Sequence, residues 1–438
     1  MDDPAFALSA PIDENTQTIL LHASQHNLAA LKPFLRIPGN ASVQDPETGY
    51  TPLHAAIAAC GPVQAETPTN TDAHNGDQIN GNGKRELQEA EGDAAGEDQE
   101  EEVDIEAAKA VLKELFMSGA IWNDLDVANE TPGCLAWRLG QKELYQLCVD
   151  AGARAEMLLG LMGKYEALNS GSDDEEDGEN EDENGTAEIE IEPEPEVEEK
   201  KDVNSEDYLA SELKFEDDKL LDADKNGVMM AWETDIMRRT VDLLLPPSPE
   251  NTGKRILNIG FGMGIIDGMF KETKPLSHHI VEAHPAVLAK LAEPDSDFGS
   301  AWEASAPEGG KYKIHAGRWQ EVLPSLLEAG EIFDAIYFDT FGEDYSALKE
   351  FFSEFVPGLL DEGGKFGFFN GLGADRRVCY DVYGKVVECD LSEAGLDVEW
   401  TDVEVGKLGE EGEGEWEGVR RRYWTLEVYR LPVCTFLG

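Results

Sequence analysis

The residues with the most chemical content in this chain are three acids and a glycine-rich turn. The turn, Gly260-Phe-Gly-Met-Gly264, follows the apolar run Arg255-Ile-Leu-Asn-Ile259 and precedes a helix start at Ile265 and Ile266. Strand, turn and helix in that order form the floor of a nucleotide-type pocket, and the amides that open the helix can receive a carboxylate or phosphate. The spacing is G-x-G-x-G, whereas a dinucleotide fingerprint needs glycine at 265, where Ile265 stands. Glu282, in Ile280-Val-Glu-Ala-His284, follows at a second strand end, where an acid either accepts both hydroxyls of a ribose or caps a helix. Asp339, in Tyr337-Phe-Asp-Thr-Phe341, is either another cap or a ligand-facing group at the carboxyl edge of an open sheet. The third acid, Glu233, lies in Gly227-Val-Met-Met-Ala-Trp-Glu-Thr-Asp-Ile-Met237. At helical spacing it shares a face with Met230 and Met237, either as a solvated residue or as a carboxylate among methionines. Trp319 and Gln320 can border an adenine by stacking and edge hydrogen bonding, although a tryptophan is as readily a core residue.

Short apolar strands alternating with helical patterns must position these residues. The segments are Arg255–Phe261, His278–His284, Tyr312–Arg318, Phe333–Thr340, Lys365–Asn370, Val398–Val405 and Tyr423–Leu431. The alternation predicts an α/β fold, a mostly parallel sheet with helices on both faces, over 203–438. The last two segments lack a helix between them, which predicts a hairpin and an antiparallel final strand. Seven strands in this pattern resemble the class I methyltransferase (Rossmann-like) sheet.

The N-terminal 165 residues repeat. Gly49-Tyr-Thr-Pro-Leu-His-Ala-Ala56 carries the T-P-L-H-x-A signature of an ankyrin unit, Thr131-Pro-Gly-Cys-Leu-Ala136 restarts it, and Leu144-Tyr-Gln-Leu-Cys-Val-Asp-Ala-Gly-Ala153 closes it. Residues 62–102 read as a disordered insertion in this small all-α module, and 166–202 as a disordered acidic linker. The whole chain has 91 acids against 35 bases, a net charge of −56 that is densest in those two runs. Such a charge repels nucleic acid and favours a basic protein as partner. Six cysteines without a C-x-x-C pair give neither a disulfide framework nor a metal site. Neither a signal peptide nor a membrane-spanning apolar run is found, which predicts a cytoplasmic or nuclear protein, expected to be a monomer.

Taken in order, Val228-Met-Met-Ala-Trp-Glu-Thr234, Asn258-Ile-Gly-Phe-Gly-Met-Gly264, Glu282-Ala-His284, Arg318-Trp-Gln320 and Tyr337-Phe-Asp-Thr-Phe341 resemble guanidinoacetate methyltransferase. Joined to an ankyrin-like N-terminus, they resemble the fungal protein arginine N-methyltransferase 2 family, over essentially the whole chain outside the acidic runs. The resemblance implies S-adenosyl-L-methionine as cofactor and monomethylation of the δ nitrogen of arginine in a protein, in this family a ribosomal one. It implies donor contacts from Phe261, Gly262, Met263, Gly264, Ile265 and Ile266 at the turn, and from Glu282, Ala283 and His284 at the ribose. Trp319 and Gln320 would hold the adenine, Met237 would stand near the sulfonium, and Tyr208 would cover the cofactor.

Asp339 would lie where donor and acceptor meet and take the proton, with Glu233 as a clamp on the guanidinium, or the two roles would be reversed. One departure is Gly342, where the guanidinoacetate enzymes place proline, which counts against a small carboxylate-bearing acceptor. Two rival readings stay open: a small-molecule guanidino methyltransferase, and an interaction protein in which the repeats work and the nucleotide fold is inert.

Overall fold

A computed structural model of the chain describes residues 13–63, 104–169, 205–216, 218–248 and 253–438. Beyond their first few residues, the expected insertion at 62–102 and linker at 166–202 lie outside the described residues. The chain divides into two units, Met1–Ala151 and Gly152–Gly438.

The first unit is helical: α1 (Glu14–Ser24), α2 (Leu28–Leu31), α3 (Pro52–Ala58), α4 (Ile105–Met117), α5 (Pro132–Arg138) and the start of α6 (Lys142–Asn169). Helices α3 and α5 begin alike. Thr51 and Thr131 cap them, and a proline follows where its missing N–H costs no bond. His54 Nδ1 accepts from the Thr51 amide at 3.3 Å, so its Nε2 carries the hydrogen and donates to the Glu130 carbonyl at 3.0 Å. That bond joins the start of α3 to the residue before the second threonine. Helix α3 packs against α1, α4 and α5, burying Ile19, Leu53, Ile57, Leu115 and Leu135. The expected close at Ala153 is not a helix end. Good helix formers (Ala155, Glu156, Met157, Leu158, Leu159) carry α6 through Gly152 to Asn169.

After the rest of α6, the second unit has α7 (Ser205–Ala210) and a small antiparallel sheet that the sequence did not announce: β1 (Lys214–Phe215), β2 (Lys219–Leu221) and β3 (Gly227–Met230). This corrects the helical reading of 227–233. The backbone there pairs with β2, one 3₁₀ turn follows over Ala231–Glu233, and α8 (Thr234–Leu244) begins only after it. Met229 and Met230 therefore alternate across a strand instead of sharing a helical face with Met237.

All seven expected strands follow, with shifted ends: β4 (Arg255–Ile259), β5 (Ser277–Glu282), β6 (Tyr312–Ala316), β7 (Phe333–Phe338), β8 (Leu360–Phe368), β9 (Leu396–Glu404) and β10 (Val428–Phe436). The order across the sheet is β6-β5-β4-β7-β8-β10-β9, parallel except for β10, which runs antiparallel to both β8 and β9. The connections are α9 (Ile265–Glu272), α10 (Pro285–Leu291), α11 (Ser300–Glu303), α12 (Trp319–Glu328), α13 (Tyr345–Glu350), α14 (Val356–Leu359) and α15 (Arg377–Glu393). Both faces of the sheet are covered. On one, Ile256, Ala335 and Tyr337 pack with residues of α8 and α9; on the other, Leu257, Ile259, Ile336 and Phe338 pack with residues of α12. This is the class I methyltransferase sheet. Because the chain steps from β4 through β5 to β6 on one side and returns to β7 on the other side of β4, a crevice opens at the carboxyl ends of β4 and β7.

Candidate active site

The glycine turn fills that crevice floor. Gly260 has φ +92°, and a Cβ there would lie 1.9 Å from the Asp339 carbonyl oxygen, so only glycine lets the end of β7 close onto the turn. Gly262 has φ +56°, and its Cβ would meet the Met229 methyl at 2.7 Å. Asn258 braces the loop from below, donating at 2.8 Å both to the Gly260 carbonyl and to Asp267 Oδ2, while His278 Nε2 lies 2.9 Å from Asp267 Oδ1.

The turn's amides are engaged within the chain. Those of Phe261 and Gly262 donate to Glu282 Oε2 at 2.9 and 3.4 Å, that of Met263 to the Met229 sulfur at 3.2 Å, and that of Gly264 to the Phe261 carbonyl at 2.8 Å. The expected capture of a carboxylate or phosphate belongs to the amides that open α9, from Ile265 on, and these bonds of the turn do not bear on it. The bonds from Phe261 and Gly262 orient an acid.

A cavity of about 650 Å³ lies over the turn. Of the residues singled out in the sequence, Tyr208, Gly262, Glu282, Ala283, Trp319, Gln320 and Asp339 line it, joined by Val228 and Met229. Glu282 is buried, and burial raises its carboxyl pKa while the amides of His284, Phe261 and Gly262 draw it back. Trp319 is 3 % exposed and packs edge-on against Phe338, Phe351 and Phe355, so it is both core and cavity wall. Tyr208 sits between His284 and Phe341, with ring centroids 4.8 and 4.9 Å away. His284 Nδ1 accepts from the Ala286 amide, so Nε2 donates to the Tyr208 carbonyl at 3.1 Å and holds α7 over the cavity.

The remaining residues act from behind. Phe261 packs on Phe298, Ile266 is buried in the core beneath partly buried Ile265, and Gly264 is the N-cap of α9 with φ +74°. Met237 departs from expectation: it is fully buried in the core and lines none of the cavities described here, because α8 starts too late to share a face with Met230. Met229, carried to the turn by β3, stands at the cavity instead.

Asp339 also lines a second cavity, of about 990 Å³, shared with Glu233, Thr340, Gly342, Tyr423 and Arg421. Glu233 is 4 % exposed; its Oε1 accepts from the Tyr423 hydroxyl at 2.5 Å and its Oε2 from the Met230 amide at 3.4 Å. Burial, then the charge of Asp339, pushes the Glu233 carboxyl up to about 8. Burial likewise pushes Asp339 up to about 7, with the neighbouring Tyr337 hydroxyl drawing it partly back. Two under-bonded carboxylates in one cavity form a site for a cation that donates hydrogen bonds.

Sequence reasoning missed four residues here. Tyr423 was read as a strand start, but β10 begins at Val428 and Tyr423 stays in the preceding connection, its hydroxyl held by Glu233. Met229, Arg421 and Glu343 were passed over. Glu343 lines both cavities and carried only the signal of an acid shortly after Asp339.

The family model for guanidinoacetate N-methyltransferase matches residues 199–375. Relatives bearing the name protein arginine N-methyltransferase 2 match far more of the chain. That of Gibberella zeae is 53 % identical, covering 96 % of this chain and 92 % of its own. That of Neurospora crassa is 51 % identical, covering 100 % and 99 %, and that of Saccharomyces cerevisiae 35 %, covering 76 % and 79 %. The chain belongs to the protein arginine N-methyltransferase 2 family. Its methyl donor is S-adenosyl-L-methionine, and the first cavity suits that molecule. Glu282 is set to take hydroxyls, and Gln320 Oε1 is buried there without a partner. Tyr423 and Arg421, on the second cavity, lie beyond the stretch matched by the guanidinoacetate model.

Proposed function

We propose that this protein monomethylates the δ nitrogen of arginine in a basic protein, in the first instance a ribosomal protein. The observation that carries the reading is the meeting of the two cavities at Asp339, with Glu233 on the acceptor side. When bound, S-adenosyl-L-methionine supplies an electrophilic methyl group on a sulfonium. The chain's own task is to hold and deprotonate the acceptor. A guanidinium is protonated at ordinary pH, and its nitrogens are poor nucleophiles because their lone pairs are delocalised. Its positive charge lowers the raised pKa values of Glu233 and Asp339, so both ionise and grip it from two sides. The grip draws charge away from one nitrogen and fixes its direction, an orientation effect worth several kcal/mol. Asp339, with its near-neutral pKa, takes the proton as the methyl transfers, and Glu233, braced by Tyr423, remains the clamp.

The N-terminal helices serve in this reading as an ankyrin-type stack that receives the protein substrate. The matching Thr-Pro starts of α3 and α5 and the His54 bond between them support it. The repeat module then spans 1–165 and the catalytic domain 203–438, in a monomer acting in cytoplasm and nucleus without nucleic acid or membrane. The donor contacts assigned to Tyr208, Glu282, Trp319 and Gln320 belong to the same proposal.

One observation favours a small guanidino acid as acceptor instead. Arg421 is exposed at the second cavity and, among the described residues, has no carboxylate partner, so it could meet an acceptor carboxylate. Mass spectrometry of proteins from cells with and without this chain separates the two, using fragmentation that distinguishes δ- from ω-methylarginine. Protein δ-methylarginine that disappears with the chain is the expected result; unchanged protein methylation with turnover of free guanidinoacetate would overturn it.

A further inference from the structure

We infer that Glu343 is a positioning residue that decides which edge of the Gln320 amide faces the donor and ties that edge to the acceptor side. The inference rests on the reading of the first cavity as the S-adenosyl-L-methionine site with Gln320 at the adenine.

An ionised carboxylate only accepts hydrogen bonds. Three donors from two parts of the fold converge on Glu343. Trp319 Nε1 lies 3.0 Å from each of its oxygens, and Gln320 Nε2 lies 3.1 Å from Oε1, both from the first turn of α12. The Thr340 hydroxyl, from the connection after β7, donates to Oε2 at 2.6 Å.

A glutamine amide by itself offers a ligand either a donor or an acceptor, since it can flip. Here it cannot do so freely, because Glu343 binds only its NH₂ end. Gln320 Oε1 is left buried, without a partner, on a residue that lines the donor cavity. The end of the amide that Glu343 leaves unbonded is therefore an acceptor, on a residue of the cavity wall, and an acceptor suits the exocyclic amino group of adenine and opposes the ring carbonyl of hypoxanthine. Thr340 follows Asp339 directly, so the same carboxylate that sets the Gln320 amide also anchors the segment carrying the acid shared by both cavities.

The test is calorimetric binding to the full chain, with S-adenosylhomocysteine and S-inosylhomocysteine as probes. Wild type is expected to prefer the adenosyl compound by roughly tenfold or more. In Glu343→Gln the new amide can donate as well as accept, Gln320 is free to flip, and the preference is expected to fall to about threefold or less. A purely structural role for Glu343 would weaken both probes alike and leave their ratio unchanged, and that result would overturn the inference. If Glu343→Gln does not fold, judged by its melting curve, Gln320→Leu in the presence of Glu343 decides: loss of the preference supports the inference, and its survival defeats it. Wild type that binds both probes equally defeats the inference alone. Wild type that binds neither defeats the donor reading with it.

Discussion

The two cavities that meet at Asp339 are built on opposite principles. On the donor side, the chain has bonded several of its own polar groups, with Gln320 Oε1 left over. The amides of Phe261 and Gly262 hold Glu282, and the Trp319 indole is fixed by Glu343. On the acceptor side, Glu233 is buried with one hydroxyl and one amide as partners, Asp339 is partly buried beside the Tyr337 hydroxyl, and both pKa values are pushed up. In the proposed function the first takes the nucleoside of the donor. The second is destabilised until a cation enters. A site of that second kind selects its ligand by charge before shape, because the guanidinium removes the penalty that burial imposes on the carboxylates.

Breaking the turn on which the end of β7 closes, next to the acid shared by both cavities, should have the largest effect. Gly260→Ala drives a methyl group into the Asp339 carbonyl in a backbone conformation that alanine resists, so donor affinity and turnover should each fall by roughly a hundredfold or more. Calorimetry with S-adenosylhomocysteine checks this, and wild-type affinity would remove the turn from the account. Glu233→Gln should separate the cavities: kcat/KM for the acceptor drops about a hundredfold while donor affinity stays within about twofold.

The raised carboxyls predict a pH dependence in both activity and stability. The value of kcat/KM should climb between about pH 6 and about pH 8 and then level off, as Asp339 and Glu233 ionise. For stability the sign is the reverse. Folded-state pKa values near 7 and 8 lie above the unfolded values of 3.8 and 4.5. Burial therefore costs nothing below the unfolded values and its full amount once pH passes about 8. Asp339→Asn should accordingly raise the melting temperature of the ligand-free protein more at about pH 9 than at about pH 6. A gain independent of pH would show that Asp339 is not held in its raised state. The smallest effect belongs to Tyr423→Phe, which removes one donor to Glu233 and should lower kcat/KM by about three- to tenfold.

What could be read from the sequence follows from range. The seven strands of the main sheet are apolar runs between glycines and charges, and Glu282 and Asp339 stand at or just past their ends, so local pattern sufficed. Strands of two to four residues, as in β1 to β3, are too short to show a period, and their pairing was hidden. The resemblance implies Met237 near the sulfonium, and the shared face with Met230 and Glu233 fails because a helical spacing does not run across a strand, a 3₁₀ turn and a helix. Tyr423 lies 190 residues from the Glu233 it bonds, a distance over which no spacing rule speaks. Trp319 shows a different limit: core and ligand-facing are alternatives in the sequence, whereas the folded residue is at once core and cavity wall.

The central claim is that Asp339 joins the two cavities and takes the proton at their junction. Asp339→Asn keeps the size of the side chain and removes its charge, so one pair of measurements on this variant tests it most directly. Methyl transfer to protein arginine should be lost, with S-adenosylhomocysteine still bound within about threefold of wild type. Turnover at the wild-type rate would contradict the assignment.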